Sequence, residues 1–278
     1  MEWIIVIFLL ATAFFIYVIY ENENPILEEI NLYSKKACKK ITILHISDLH
    51  SKLFGHNQKR LIKLIPGDID LILLTGDLVD RRLKNTENPL KLIENLRDIP
   101  KIYIRGNHEK GIENYGAFKS EMERLGVSVL QNQILEIEIQ GNKLSVIGLD
   151  DPREYKNLKK VKDIDEKAVL ESNLSRLLRD AKSDFKILLS HRPEFFDMYV
   201  ESGVDYVFSG HAHGGYVQIF GRGLFAAEQG FFAKYAGGVF KKQSTTMINS
   251  RGLGNNFAFV KRVFNRPHIT KVNIYAEK

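Results

Sequence analysis

Apolar positions along this chain follow two rhythms, with one uninterrupted run at the front. Trp3 to Tyr20 reads WIIVIFLLATAFFIYVIY, eighteen residues without a charge. At about 1.5 Å of rise per residue, this meets the lower bound for crossing a hydrocarbon layer about 30 Å thick. Trp3, Tyr17 and Tyr20 sit near its ends, where aromatic rings favour the interface. The pattern predicts a transmembrane anchor over residues 1–20. A cleaved signal peptide fits less well: residue 2 is Glu2, no Lys or Arg precedes the run, and no small-residue cleavage site follows it. Residues 21–40 are polar and aperiodic, which predicts an irregular linker, and 41–278 then form one domain of a size that sustains a single core.

Within 41–278, short apolar runs alternate with helical patterns. Ile41–Ile46, Leu71–Leu74 and Ile102–Ile104 read as strands, separated by helical stretches near 57–65 and 87–97. Asn114 is placed to cap a helix that carries Phe118, Met122 and Leu125 on one face and ends at Gly126. A hairpin follows, Ile134–Ile139 and Leu144–Leu149 around Gly141-Asn142. From Asp165 to Ala181, Leu170, Leu174, Leu177, Leu178 and Ala181 make a helical stripe that reads as a core face. Phe185–Leu189, Tyr206–Ser209 and Tyr216–Phe220 read as strands, with one or two more from about Phe257 onward. Strands spaced by helices predict α/β layering.

Composition narrows the partners. The chain has 278 residues, a net charge of +6 and a single cysteine, Cys38, so no disulfide forms within it. A basic balance suits an anionic partner, whether phosphate, membrane surface or nucleic acid, and equally a solvated Lys-rich surface. The positive charge is spread rather than gathered into an arm, and no zinc-finger or RNA-binding signature is present, so nucleic acid is not expected as a partner. Lys35, Lys36, Lys39 and Lys40 follow the apolar run and none precedes it, which favours a cytoplasmic body. The same lysines are placed to lie on anionic headgroups, or simply in a solvated linker.

The chemistry lies where polar residues interrupt apolar strands. Five strand ends carry them: Asp48-Leu49-His50, Gly76-Asp77, Gly106-Asn107-His108-Glu109, Ser190-His191 and Gly210-His211-Ala212-His213. Five of the eight histidines belong to these motifs. Glycine precedes three of them and permits tight backbone paths near a bound group. In α/β sheets, sites gather at the carboxyl ends of strands. Taken singly, each motif has a plain structural reading. Asp48 and His50 fit a turn, Asp77 a helix N-cap, Asn107-His108 a turn after glycine, and His191 a core histidine. His211 and His213 are stronger, because alternation puts two imidazoles on one face of an extended segment. Jointly, carboxylate, imidazole and amide oxygen without thiolate suit Mn, Fe or Zn. A set this rich can hold two divalent cations with a bridging carboxylate such as Asp77, an arrangement that activates a shared water and clamps a phosphoryl group.

In this order the five motifs resemble the calcineurin-like metallophosphoesterase superfamily. The resemblance runs from about Ile41 to the C-terminus. It implies a four-layer sandwich of two mixed β-sheets flanked by helices, and a phosphoesterase using two divalent metal ions, Mn²⁺ first, with Zn²⁺ or Fe as alternatives. On it, Asp48, His50 and His213 would hold the first metal, and Asn107, His191 and His211 the second. Asp77 would bridge them, and a hydroxide activated between them would attack phosphorus. His108 would contact the phosphate and protonate the leaving oxygen without binding metal. Within the superfamily the chain looks most like the membrane-anchored bacterial phosphodiesterases, which include enzymes cleaving UDP-diacylglucosamine. Its N-terminal helix, Asp150-Asp151-Pro152, Gly214-Gly215 and Ser250-Arg251-Gly252-Leu253-Gly254 carry that likeness. Ala212 and Tyr216 depart from that branch, which often has Thr and Gln there. Neither is a metal ligand in the family pattern.

The expected reaction is hydrolysis of a phosphodiester or pyrophosphate bond on a lipid-linked or nucleotide-linked substrate. Broad phosphomonoesterase activity and a non-catalytic metal-binding scaffold are the alternatives. Residues 220–242, rich in Phe and interspersed with Arg222, Lys234, Lys241 and Lys242, fit either a rim that touches lipid or a loop packed on the body. Arg251 fits a phosphate contact or a surface turn.

Overall fold

The computed structural model describes residues 1–96, 98–155, 165–226, 228–255 and 261–277. Its first nine strands, in chain order, are β1 (Ile26–Ser34), β2 (Ile41–Ile46), β3 (Leu71–Leu74), β4 (Lys101–Ile104), β5 (Val127–Leu130), β6 (Gln133–Ile139), β7 (Asn142–Gly148), β8 (Phe185–Leu189) and β9 (Tyr206–Ser209). Four two-residue strands follow, β10 (Gln218–Ile219), β11 (Arg222–Gly223), β12 (Phe225–Ala226) and β13 (Gly230–Phe231), and then β14 (Gly238–Lys242), β15 (Thr245–Asn249) and β16 (His268–Ala276).

Twelve of these build two mixed sheets of six. One runs β1-β16-β2-β3-β4-β5 and the other β14-β15-β9-β8-β7-β6. In the first, β2, β3, β4 and β5 are parallel neighbours; in the second, β7, β8, β9 and β15 are. Alternation along the strands separates three cores. Ile41, Ile43, Leu71, Leu73, Ile187 and Leu189 fill the space between the sheets. Leu44, Ile46, Ile72 and Leu74 point the other way, under helices Glu87–Glu94 and Tyr115–Arg124 with Leu92, Ile93, Phe118 and Met122. Ile147, Leu188 and Val207 face helix Glu166–Asp180 through Leu170, Leu174 and Leu177. Burial on both faces explains the unbroken apolar run at β3 and the mostly apolar one at β2. The result is the four-layer α/β sandwich expected, and it aims the carboxyl ends of β2, β3, β4, β8 and β9 at one region.

The helix caps follow the sequence reading: Asn114 Oδ1 accepts from Ala117 N at 3.2 Å, and Asp165 Oδ1 from Ala168 N at 3.0 Å. Several expectations change. Residues 26–34 are not irregular linker but strand β1, lying parallel to β16 from Ile26↔His268 to Ser34↔Ala276. The strand carries Leu27, Ile30 and Leu32 to the cores, and its glutamates mask that pattern. At about 3.3 Å per residue, β1 moves the lysines after it roughly 26 Å from the anchor. Lys36 pairs with Asp205 at 2.8 Å and Lys40 lies 3.7 Å from Asp68, so two of those four lysines contact the body. The helical stretch near 57–65 shrinks to a turn, His56–Gln58, and helix Lys59–Ile62, because Asn57 and Gln58 take left-handed backbone at φ 48° and 62°. The strand read at Tyr216–Phe220 shortens to β10, again because Tyr216 and Phe220 are left-handed. Of the tail, β16 is present, and residues 256–260 lie outside the described residues.

The apolar run forms helix Glu2–Glu23, long and apolar enough to cross a membrane. Its last turns rest on the body. Val18 and Asn22 are buried, and Phe14 and Tyr17 each lie about 6.1 Å, ring to ring, from Phe264. Three cations meet the carbonyls at its end: Lys52 on Asn22, Arg60 on Glu23 at 3.3 Å, and Arg266 on Asn24 at 3.1 and 2.7 Å. Cations suit a helix C-terminus, where unpaired carbonyls concentrate partial negative charge.

Candidate metal centre

The five loops meet. Asp48 N donates to Gly76 O at 3.0 Å and His50 N to Asp77 O at 2.9 Å, which sews the β2 loop to the β3 loop. A Cβ on Gly76 would come within 2.3 Å of Gly106 N, and one on Gly210 within 2.0 Å of Ser47 Oγ. Only glycine lets the loops close to this distance. Asp48, His50, Asp77, His211 and His213 all adopt left-handed backbone, φ 47–70°. For residues other than glycine this conformation is uncommon and gathers at functional sites.

Donor atoms cluster in three overlapping groups, each with its atoms within 4.8 Å of one another: Asp48, His50 and His213; His50, Asp77 and His108; Asp77, His191 and His211. Asp77 lies in the middle, its Oδ2 3.7 Å from His50 Nε2 and 3.2 Å from His191 Nε2. On the first flank, His213 Nε2 is 3.6 Å from Asp48 Oδ1 and 3.2 Å from His50 Nε2. Asn107 stands in the same loop as His108 and is buried. Asp77 Oδ2, Asn107 Oδ1, His191 Nε2 and His108 Nε2 are buried with no hydrogen-bond partner among the described residues. Orphaned buried polar atoms of this kind need an explanation, and a bound cation supplies one. The set is oxygen and nitrogen without sulfur, which fits the divalent metals expected. Seven of the eight residues named from the sequence come together in these groups, and Asn107 stands beside His108 in the same loop. One geometric expectation is corrected: His211 and His213 do not share a face of an extended segment. Ala212 is helical between two left-handed residues, so the two imidazoles part, one to each flank.

A second ring of residues holds these donors; Glu109 and Asp151 lie in motifs already noted, whereas Asp80, Arg192 and Arg262 carry no sequence signal of their own. Glu109 accepts backbone N–H groups from Asp77, Leu78, Val79 and Gly106 at 2.6–3.1 Å, tying the β3 and β4 loops together. Burial pushes its carboxyl up to about 7. Asp80 lies 3.5 Å from both His50 Nδ1 and His108 Nδ1 and is gripped by Arg82. Arg192, fully buried, pairs with Asp151 at 2.5 and 3.2 Å and donates to His211 Nε2 at 3.1 Å. Arg262, also buried, donates to His213 Nδ1 at 3.1 Å, while its own backbone N and O bond the side chain of Asn22 in the N-terminal helix. His191 Nδ1 donates to Thr75 O at 2.7 Å and leaves Nε2 for the centre. Such outer partners set ring orientation and tautomer. Arg251 is no free phosphate contact: it pairs with Glu28 at 3.2 Å and donates to His268.

Burial opposes charge on both Asp77 and His191, but their mutual attraction wins. It holds the Asp77 carboxyl well below its usual range and lifts His191 to about 10. Asp48 is raised by burial, with the Asp77 charge adding to it. A cluster that pulls a proton onto an imidazole offers the same field to a divalent cation, and metal binding displaces that proton.

An α/β sandwich whose strand-end loops gather Asp and His donors around Asp77 defines a candidate metallohydrolase. The chain belongs to the calcineurin-like phosphoesterase family, whose profile matches residues 41–215. It is similar to the uncharacterized metallophosphoesterase YkoQ of Bacillus subtilis (strain 168), 28% identical over 65% of this chain and 64% of that one. A metallophosphoesterase of Helicobacter pylori (strain 26695) is 29% identical over 81% of this chain and 57% of its own. The chain thus spans about six-tenths of the length of these relatives. Among solved structures, a phosphopantetheinyl hydrolase from Mycobacterium tuberculosis matches 77% of this chain and 89% of its own, at 12% identity and a TM-score of 0.47.

Proposed function

We propose that this chain hydrolyses a phosphodiester or pyrophosphate bond at a centre of two divalent metal ions, Mn²⁺ first, with Zn²⁺ or Fe as alternatives. Asp77, shared between two groups of donors, is the observation that carries this reading. Asp48, His50 and His213 are assigned to one cation, Asn107, His191 and His211 to the other, and Asp77 to both. When bound, the pair would lower the pKa of a shared water and neutralise charge on the phosphoryl oxygens. The chain's own residues do the rest. Arg192 and Arg262 hold His211 and His213 in place. Arg81 N donates to His108 Nδ1 at 3.3 Å, which leaves the proton of the neutral ring on Nε2. That atom is buried beside Asp77 and can donate to a phosphoryl oxygen; with a second proton on Nδ1, facing Asp80 Oδ2 at 3.5 Å, the ring would be the imidazolium acid that protonates the leaving oxygen.

The N-terminal helix is read as an uncleaved anchor and the body as cytoplasmic. The body starts at Ile26, not Ile41, since β1 belongs to its sheet. The segment 220–242 borders the centre, because Gly214 N donates to Ala236 O at 2.9 Å. A cavity of about 420 Å³ lies there, lined in part by Arg222, Phe232, Lys234 and Phe240. Aromatic and cationic walls suit an amphiphilic phosphate ester.

The test is purified full chain loaded with Mn²⁺, assayed on bis-p-nitrophenyl phosphate and p-nitrophenyl phosphate. Faster turnover of the diester is expected. Preference for the monoester would replace the reading with a phosphomonoesterase. Metal bound without turnover of either would favour the scaffold.

A further inference from the structure

The helix Glu2–Glu23 is packed against the body over part of its apolar length, and this has a geometric cost. Counting from Trp3, only about 17 Å of helix precedes Phe14, the first residue in ring contact with Phe264. That is too short for a hydrocarbon core about 30 Å thick. The apolar run reaches that thickness, nearly, only if it stays in the bilayer to Tyr20. Phe264, level with Phe14 and Tyr17, then lies about 5–9 Å inside the apolar segment.

The surface around Phe264 is suited to that depth. Phe264 stands on a left-handed turn and is 56% exposed. Val263 bridges Val217, and Gln218 N donates to Val263 O at 3.0 Å, so the β10–β11 hairpin lies alongside. The tip of that hairpin is Phe220, wholly exposed, with Ile219 half exposed beside it. Lys52, Arg60 and Arg266 are held at the helix exit by its terminal carbonyls. Exposed aromatic tips on the same side of the body as cations at the helix exit, with Arg266 two residues from Phe264, suit an interfacial lipid contact.

Resting on the reading of the helix as a membrane anchor, we propose that the Phe220 and Phe264 turns form a second, interfacial contact with an anionic lipid surface. This contact fixes the height and tilt of the body on the bilayer. It is joined to the metal centre without slack. Tyr216 stacks on His213 at 5.3 Å, and Asn265 Nδ2 donates to His213 O at 2.8 Å. The loop that carries His213 would therefore sit close to headgroup level.

The experiment uses the full chain in phosphatidylcholine–phosphatidylglycerol vesicles carrying brominated acyl chains. In a Trp3→Phe background, single tryptophans replace Phe8, Phe220, Phe264 or Tyr33. Tyr33 is exposed near the far end of β1 and serves as the aqueous control. Quenching is expected at 8, 220 and 264, several-fold stronger than at 33. Quenching at 8 with 220 and 264 matching 33 would overturn the second contact while leaving the anchor intact. No quenching at 8 would remove the anchor and the proposal with it, and leave the hydrolase reading untouched. Protection of 220 and 264 by a second copy of the chain, seen as concentration-dependent cross-linking without quenching, would also overturn it.

Discussion

A carboxylate buried among imidazoles serves two metals only if it faces both. Asp77→Asn keeps the shape and removes the charge, so metal content, measured by mass spectrometry on purified protein, should fall at both positions. Asp48→Asn touches one flank and should leave the His191–His211 side occupied. Equal loss from the two variants would argue against a bridging role. His108→Ala should retain both metals yet lose about 10²–10⁴ in rate on esters with poor leaving groups. Loss of metal instead would make His108 a ligand, as its place in the middle donor group allows. His45 offers a pH test away from turnover. It is buried against Thr75 and Phe208, and burial lowers its pKa from 6.5 to about 3. The unfolded chain therefore binds a proton that the folded one refuses. Stability is full above about 6.5 and falls as pH drops towards 3, with a slope of up to one proton. Urea unfolding between pH 7 and 5 should show that slope in the parent and a shallower one in His45→Gln. The candidate ligands were legible because each lies where an apolar strand gives way to a loop. Arg192 and Arg262 were not, since a buried guanidinium looks like a surface one until its partners, Asp151 for Arg192 and Gly254 O for Arg262, fold onto it.

At the level of elements, β2, β3, β4, β8 and β9 were legible almost to the residue, because burial on both faces keeps their runs mostly apolar; β5 and β15, with Ser128, Thr245, Thr246 and Asn249 among their few residues, were not. Edge strands were harder. β1 has one half-solvated face, and its acidic residues hid the alternation of Ile30 and Leu32. A chain begun at Asn24 should unfold cooperatively, like the parent. One begun at Lys35 lacks β1, loses the packing of Leu27, Ile30 and Leu32, and bares the edge of β16. A loss of roughly 2–5 kcal/mol is expected, seen as a lower denaturant midpoint, together with aggregation. The short turns were beyond reach because single left-handed residues such as Gln58 and Tyr216 end an element with no change in apolar rhythm. Glu109 sits between these scales: one side chain closes two loops, and Glu109→Ala, leaving four N–H groups to find other partners, should cost roughly 3 kcal/mol or more.

For the whole molecule, the single cysteine reports sidedness. Cys38 is exposed beside Gly141, at the end of the body away from the helix. With a cytoplasmic body, a membrane-impermeant maleimide should label it only after cells are permeabilised. Labelling of intact cells would place the body outside. Orientation could be read from the sequence only as a charge bias. The way the body sits on its helix could not, because it depends on Asn22 meeting Arg262 across most of the chain.

β16 does not lie at the edge of its sheet; it slides between β1 and β2. A ribosome therefore makes both flanking strands early and the piece that joins them after every metal-site loop. Until that piece arrives, β1 waits beside the helix with no neighbour, and the layer carrying Asp48 and Asp77 has a gap in its middle. Pairing across such distances along the chain is slow. Assembly of this protein thus ends with the insertion of a wedge, and a nascent chain halted before it would carry all its ligands on a frame that has not yet shut.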